Sequence, residues 1–248
     1  MATGGALLLG SPAPAEPAEP AEPAAAAVGA AAPDPDAATE LAEAYGLAGW
    51  GRIDRIDFAF EVTPLNGPGV RRDWSWRPDG SGGGGHVVLN PGRPGEIRFH
   101  TDDPSGTGTP LSDAMRHFVN DTYWLVFPFQ LVWSDPELTP RPVAPMPVSG
   151  DAPARVLTAR WPAEGGFTPG DAYDLYLGED GRIREWVFRQ TDGSDDPRPA
   201  TWEREVTAAG VTFATEHRGP GGPNGEFRLS HPQLRVWADG AEEPEVLR

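Results

Sequence analysis

The residues of this chain best placed to do chemistry are Asn120, Asp121 and Thr122, a polar knot inside its most apolar stretch, FVNDTYWLVFPFQLVW (residues 118–133). A carboxylate set among so many aromatic rings has two readings. It is a general base or an anchor for the polar head of a ligand, or it is a cap holding backbone amides where a helix ends and restarts. A buried polar group left without a partner costs about 1–3 kcal/mol, so each of the three must be hydrogen-bonded. The rings around the knot either fill a core or line a pocket. The expected ligand contacts are Asn120, Asp121, Tyr123, Trp124, Phe127 and Phe129, joined by Trp74, Trp76 and Trp186 from other segments.

Other chemistries find little footing. The chain contains no Cys, which removes thiol catalysis, disulfides and thiolate metal sites. The five histidines, at 86, 100, 117, 217 and 231, have neither H-E-x-x-H nor H-x-H spacing. There is no G-x-S-x-G turn for a nucleophilic serine. The glycine run 82–85 is not followed by G-K-[ST] and reads as a hairpin tip. The acidic turns TDDPSG and TDGSDDP lack the full ligand spacing of a calcium loop. No catalytic residue, metal or cofactor is therefore expected. One enzymatic alternative stays open: two of the 37 acidic residues converging beside exposed Trp74 and Trp76 to hydrolyse a glycan, or a sugar-binding module built on the same rings.

The elements that must carry these residues are mostly strands. "RIDRIDFAFEV" reads as a strand buried on one side for most of its length. "GVRRDWSWRPDG" puts Val70, Arg72, Trp74 and Trp76 on one face before a turn. "DAYDLYLGEDGRIREWVFRQ" is the clearest hairpin, with Asp180-Gly181 at its tip. Some ten or eleven strands are predicted, with one helical interruption. That helix would run to about Val126 and then become extended, because Pro128 cannot continue it. Residues 36–46 predict a short helix with Asp36 as its N-cap and Gly46 as its stop.

Before this helix the chain is of another kind. Residues 1–15 resemble the back half of a secretory signal peptide, with an apolar run before Ala13-Pro14-Ala15, although the charged opening is missing, as in a start placed too late. Residues 16–36 repeat Ala-Glu-Pro and read as a disordered linker. Residues 37–240 then form a single domain and 241–248 a tail; with 38% hydrophobic residues and nine Trp, one good-sized core is within reach. The net charge of −17, with all 20 basic residues Arg, argues against nucleic acid or an anionic membrane surface as partner. No run of 18 apolar residues exists to span a bilayer.

The order of several segments carries a resemblance. "FVNDTYWLVFPFQL", "ELT", "GFTPGDAYDLYLGEDGRIREWVF", the Trp of "ATWERE" and "GVTFATEHRG" resemble an uncharacterised family of exported bacterial proteins with an Asn-Asp-Thr-Tyr-Trp-Leu signature. That family is similar in arrangement to lipoprotein-carrier half-barrels, in which an antiparallel sheet wraps a helix and binds acyl chains. The resemblance covers about residues 37–238. It departs at Gln130, where members commonly have Lys, and in DDPSGTGTPLSDAMRH, which replaces a longer, more regular segment.

The resemblance implies a mainly β (α+β) fold: one large curved antiparallel sheet, an open half-barrel around a short helical plug. The expected function is that of a noncatalytic, periplasmic or secreted monomer binding a lipid or a lipoprotein acyl chain on the concave face. Beside it stand the glycan-active alternative and a structural envelope protein whose sheet is fully plugged.

Overall fold

The computed structural model describes residues 32–63, 68–80, 82–103, 110–150, 153–164, 169–191, 197–220 and 227–246. The signal-like segment 1–15, most of the linker 16–36 and the heart of the acidic turn TDGSDDP lie outside the described residues. The end of the linker is held in place: the Asp34 amide donates to the Leu138 carbonyl at 2.8 Å.

In chain order the elements are α1 (Ala37–Ala44), a 3-10 turn (Leu47–Arg52), β1 (Ile53–Thr63), β2 (Val70–Pro78), β3 (Gly85–Leu89), β4 (Ile97–His100), α2 (Pro110–Tyr123) and α3 (Phe127–Trp133). After them come β5 (Glu137–Pro145), β6 (Pro153–Arg160), β7 (Ala172–Leu177), β8 (Ile183–Arg189), β9 (Arg198–Thr201), β10 (Glu203–Ala208), β11 (Val211–Arg218), β12 (Arg228–Ser230), β13 (Arg235–Ala238) and β14 (Glu245–Val246).

The strands make two antiparallel sheets, not the single sheet expected. One runs β10-β11-β12-β1-β2-β3-β4, with β13 paired to β1 and β14 to β13; the other is the meander β5-β6-β7-β8-β9. The physical reason lies in the helical segment. α2 and α3 stand between β4 and β5, so the ladder cannot pass from one to the other, and the meander starts afresh. Each strand order has two free ends, so neither sheet closes into a barrel.

The sheets meet at a seam where β9 lies beside β11. Thr201 serves both ends of it: its carbonyl faces His217 Nδ1 at 3.1 Å, and its hydroxyl accepts from the Arg218 amide at 2.9 Å. β1 is central to the larger sheet. Residues 56–60 are buried on both faces, which is why the strand lacks a clean two-residue alternation. The β7–β8 hairpin follows the sequence expectation, with Tyr173 opposite Phe188 and Leu175 opposite Trp186. Gly181 takes φ +76° in its tip.

The helices join the sheets. On α2, Phe118 packs edge-on against Trp74 and Trp76 of β2 and Phe99 of β4, at centroid distances of 5.5, 5.4 and 6.1 Å. At the start of α3, Phe127 lies 4.8 Å from Tyr173 of β7. Pro128 sits in the first turn of α3, where its missing N–H would have had no partner inside the helix. The helix therefore restarts there, and the extended piece expected after Val126 does not form. α1 begins after Asp36 and ends before Gly46, whose φ is +87°; a Cβ there would come within 1.9 Å of the Gly210 carbonyl oxygen. Only glycine permits this close approach of α1 to the β10–β11 hairpin.

Candidate ligand cavity

Between α2, the inner face of β7–β9 and the region of β12 lies a cavity of about 800 Å³. Helical spacing supplies one wall: Arg116, Val119, Asn120 and Tyr123 recur at i, i+3, i+4 and i+7, and so share a face of α2. Strand alternation supplies the opposite wall. Trp186 and Phe188 project from one face of β8 beside Tyr173 of β7. Across β9, the residue opposite Trp186 is Ala200, and the small side chain leaves the space open.

The lining is an aromatic lattice. Trp124 and Trp186 lie 4.6 Å apart, and Tyr173 stacks on Phe188 at 4.7 Å. The Trp124 indole N–H donates to the Tyr173 hydroxyl at 3.1 Å, and burial holds the Tyr173 phenol well above its ordinary pKa, so it remains neutral. Polar groups stand around the wall: Arg116, Arg198 and Gln190. Asp171, the one carboxylate among the described lining residues, accepts from the Thr191 amide at 2.9 Å. The paired acids required for glycan hydrolysis are not assembled in this cavity.

Of the nine expected contact residues, Asn120, Tyr123, Trp124 and Trp186 line the cavity. The other five lie in the core. Trp74 and Trp76 are each only 1% exposed, against the expectation of exposed rings, because α2 covers β2. Trp76 donates to the Gly84 carbonyl; Phe129 packs on Trp50, and Phe127 on Trp161 and Trp202.

Asp121, fully buried, is the centre of a closed network. Arg72 grips it with two hydrogen bonds, of 2.5 and 2.6 Å, Trp74 Nε1 donates at 2.9 Å and Asn120 at 3.0 Å. Its backbone carbonyl accepts from His231 Nε2 at 2.8 Å. The arrangement ties α2 to β2 and to the residue after β12. It leaves the carboxylate with no face toward the cavity.

Sequence reasoning missed the histidines. His217 on β11 and His231 after β12 come within 6.3 Å through the pairing of those strands, although 14 positions separate them. A carbonyl only accepts, so His217 carries its proton on Nδ1, toward Thr201, and His231 on Nε2, toward Asp121. Burial first, and then the neighbouring His231, lowers the His217 pKa to about 3; burial lowers that of His231 to about 4, against the pull of Asp121. Both are neutral at pH 7. Tyr173 and Phe188 had a signal, since the hairpin alternation puts them level with Trp186. Phe227 and Leu229, which also line the cavity, had none.

A separate surface group brings Asp79, His100 and Asp102 together. His100 Nε2 lies 3.3 Å from Asp79 and Nδ1 3.7 Å from Asp102, so the ring bridges the two carboxylates.

No protein-family model and no curated protein matches the chain. Among solved structures, it is similar to a DUF1329 family protein from Desulfovibrio piger, at 10% identity and a TM-score of 0.47, over 85% of this chain and 96% of the other. A LolA superfamily protein from Nitrosomonas europaea matches at 11% identity and 0.44, over 79% and 92%. A domain from Vibrio parahaemolyticus described as an outer membrane lipoprotein-sorting protein matches at 11% and 0.44, over 83% and 95%.

Proposed function

We propose that this protein is a noncatalytic, exported binder of an apolar ligand, a lipid or an acyl chain, held in the cavity between α2 and β7–β9. The observation that carries this reading is a space of about 800 Å³ walled by Val119, Tyr123, Trp124, Trp186, Phe188 and Leu229. It falls within the range of about 300–1,000 Å³ typical of small-molecule sites. An alkyl chain entering it gains roughly 25 cal/mol for each Å² of apolar surface removed from water. Asn120, Tyr123, Trp124 and Trp186 are the contact residues, and Asp121 holds the helix that presents three of them. Export rests on the apolar run and small-residue site of residues 6–15.

The test is native mass spectrometry of the protein from its own envelope, with lipid extraction alongside. A stoichiometric lipid adduct that Trp124→Ala loses is the expected result. An apo mass, under conditions in which an added lipid stays bound to a control carrier, would sink the proposal.

A further inference from the structure

The cavity's inner wall backs onto a group of nitrogen atoms that the fold leaves unanswered. Trp186 Nε1 and Trp202 Nε1 are buried donors, and His217 Nε2 is a buried acceptor; none meets a hydrogen-bond partner among the described residues. They surround one imidazole: the ring of His217 lies 4.5 Å from that of Trp202 and 6.4 Å from that of Trp186. Trp186 itself lines the cavity, as does Trp124, whose ring is 5.9 Å from His217. Ala200, next to Thr201, and Leu229, paired with His217 across β11–β12, line it too. The group lies at the sheet seam, one ring deep behind the aromatic wall.

Buried polar groups are almost always satisfied, so three orphans around one ring call for a shared partner. Its chemistry can be read from theirs. Two N–H groups require an acceptor. His217 spends its proton on the Thr201 carbonyl and offers a bare lone pair, which requires a donor. A hydroxyl has one O–H and two lone pairs and matches two donors and one acceptor. A carboxylate has no proton to give and would set its charge against the imidazole lone pair. An ether or a plain alkyl end leaves His217 unanswered.

We infer that the inner end of the cavity is a subsite for a neutral hydroxyl group, and that the ligand is a long-chain alcohol or hydroxylated lipid whose O–H donates to His217 Nε2 while accepting from Trp186 and Trp202. This rests on the cavity being the ligand site.

Displacement of a cavity-bound fluorescent probe by dodecanol, its methyl ether and dodecanoate tests it. The ether keeps the tail and an acceptor oxygen but has no donor. It is also the more apolar compound, so burial alone would favour it. The expected result is that dodecanol binds about tenfold more tightly than the ether, one net hydrogen bond's worth, and more tightly than dodecanoate. Trp202→Phe and Trp186→Phe should each narrow the gap between alcohol and ether. In the wild-type protein, dodecanol should shift the ¹⁵N resonance of His217 Nε2 in the direction of an accepted hydrogen bond.

If alcohol and ether both bind and the ether binds as well or better, the nitrogens are served by water alone. The hydroxyl subsite is then wrong, while the apolar cavity stands. If neither displaces the probe, both readings fall. The comparison of ligands needs no variant, so misfolding of a Trp→Phe protein cannot rescue or spoil it.

Discussion

Two polar knots lie side by side in the core, and their histidine rings are 6.3 Å apart. In the first, Asp121 is met by Arg72, Trp74 and Asn120, and its carbonyl by His231. In the second, His217 has Thr201 on one nitrogen and nothing among the described residues on the other, and the nearby Trp186 and Trp202 donors are equally bare. Burial is the same in both, yet the first is saturated and the second is open. A saturated network can specify how α2 sits on the sheet and has no capacity left for a ligand. An open one, bordering a cavity, contributes less to the fold and retains hydrogen-bonding capacity. The polar residue most conspicuous in the sequence thus belongs to the scaffold.

The largest effect that separates the knots is acid. In the folded state both imidazoles stay neutral to about pH 3 and about pH 4, whereas unfolded they take protons below about pH 6.5. The unfolded state therefore binds more protons as the pH falls, and stability drops. The stabilisation is complete above pH 6.5, is lost progressively down to the folded values, and falls no further on this account below them. Each histidine withdraws about 1.4 kcal/mol per pH unit, so reaching pH 4 removes on the order of 6 kcal/mol. Urea unfolding from pH 7 to pH 4 checks this. Imidazole NMR sharpens it, because Asp121 pulls on His231 and His231 should protonate before His217. Stability that stays level from pH 7 to pH 5 would remove the claim that both rings are buried and neutral.

Next in size is Asp121→Ala. It strands Arg72 beside α2 and takes acceptors from Trp74 and Asn120, which should cost about 3–5 kcal/mol. The measurement is the urea midpoint at constant m-value. A variant of full stability that had lost only ligand affinity would reverse the roles assigned to the two knots.

The sequence made some of this legible and hid the rest for physical reasons. The β7–β8 hairpin and α1 could be read because their signals are local: alternation around Asp180-Gly181, and a stop at Gly46. The aromatic stretch 118–133 was visible as a plug, and it does join the two sheets through Phe118 and Phe127. Which of its rings would face a cavity was not visible. That depends on helix phase, and the expected break at Pro128 misplaced the end of the segment. Nor could the seam be seen, since Thr201 and His217 approach only after β9 and β11 have been placed in different sheets. The histidines failed every spacing test because pairing between strands, not spacing along the chain, brings them together.

The smallest of these differences is the most direct comparison of the two knots, since the same substitution can be made in each. Trp74→Phe and Trp202→Phe both exchange an almost buried indole for a phenyl ring, at 1% and 5% exposure, and both leave a comparable void. Trp74 also loses its N–H bond to a carboxylate, worth about 1.5–3 kcal/mol, whereas Trp202 gives up a donor that has no partner. In the ligand-free protein Trp74→Phe should therefore be the more destabilising by roughly that amount, in urea titrations run in parallel. With dodecanol at saturation the gap should close, because the alcohol stabilises the wild-type cavity more than that of Trp202→Phe. A gap that is absent without ligand would mean that Trp202 Nε1 is already satisfied, and a gap that dodecanol leaves untouched would mean that the alcohol never reaches the seam.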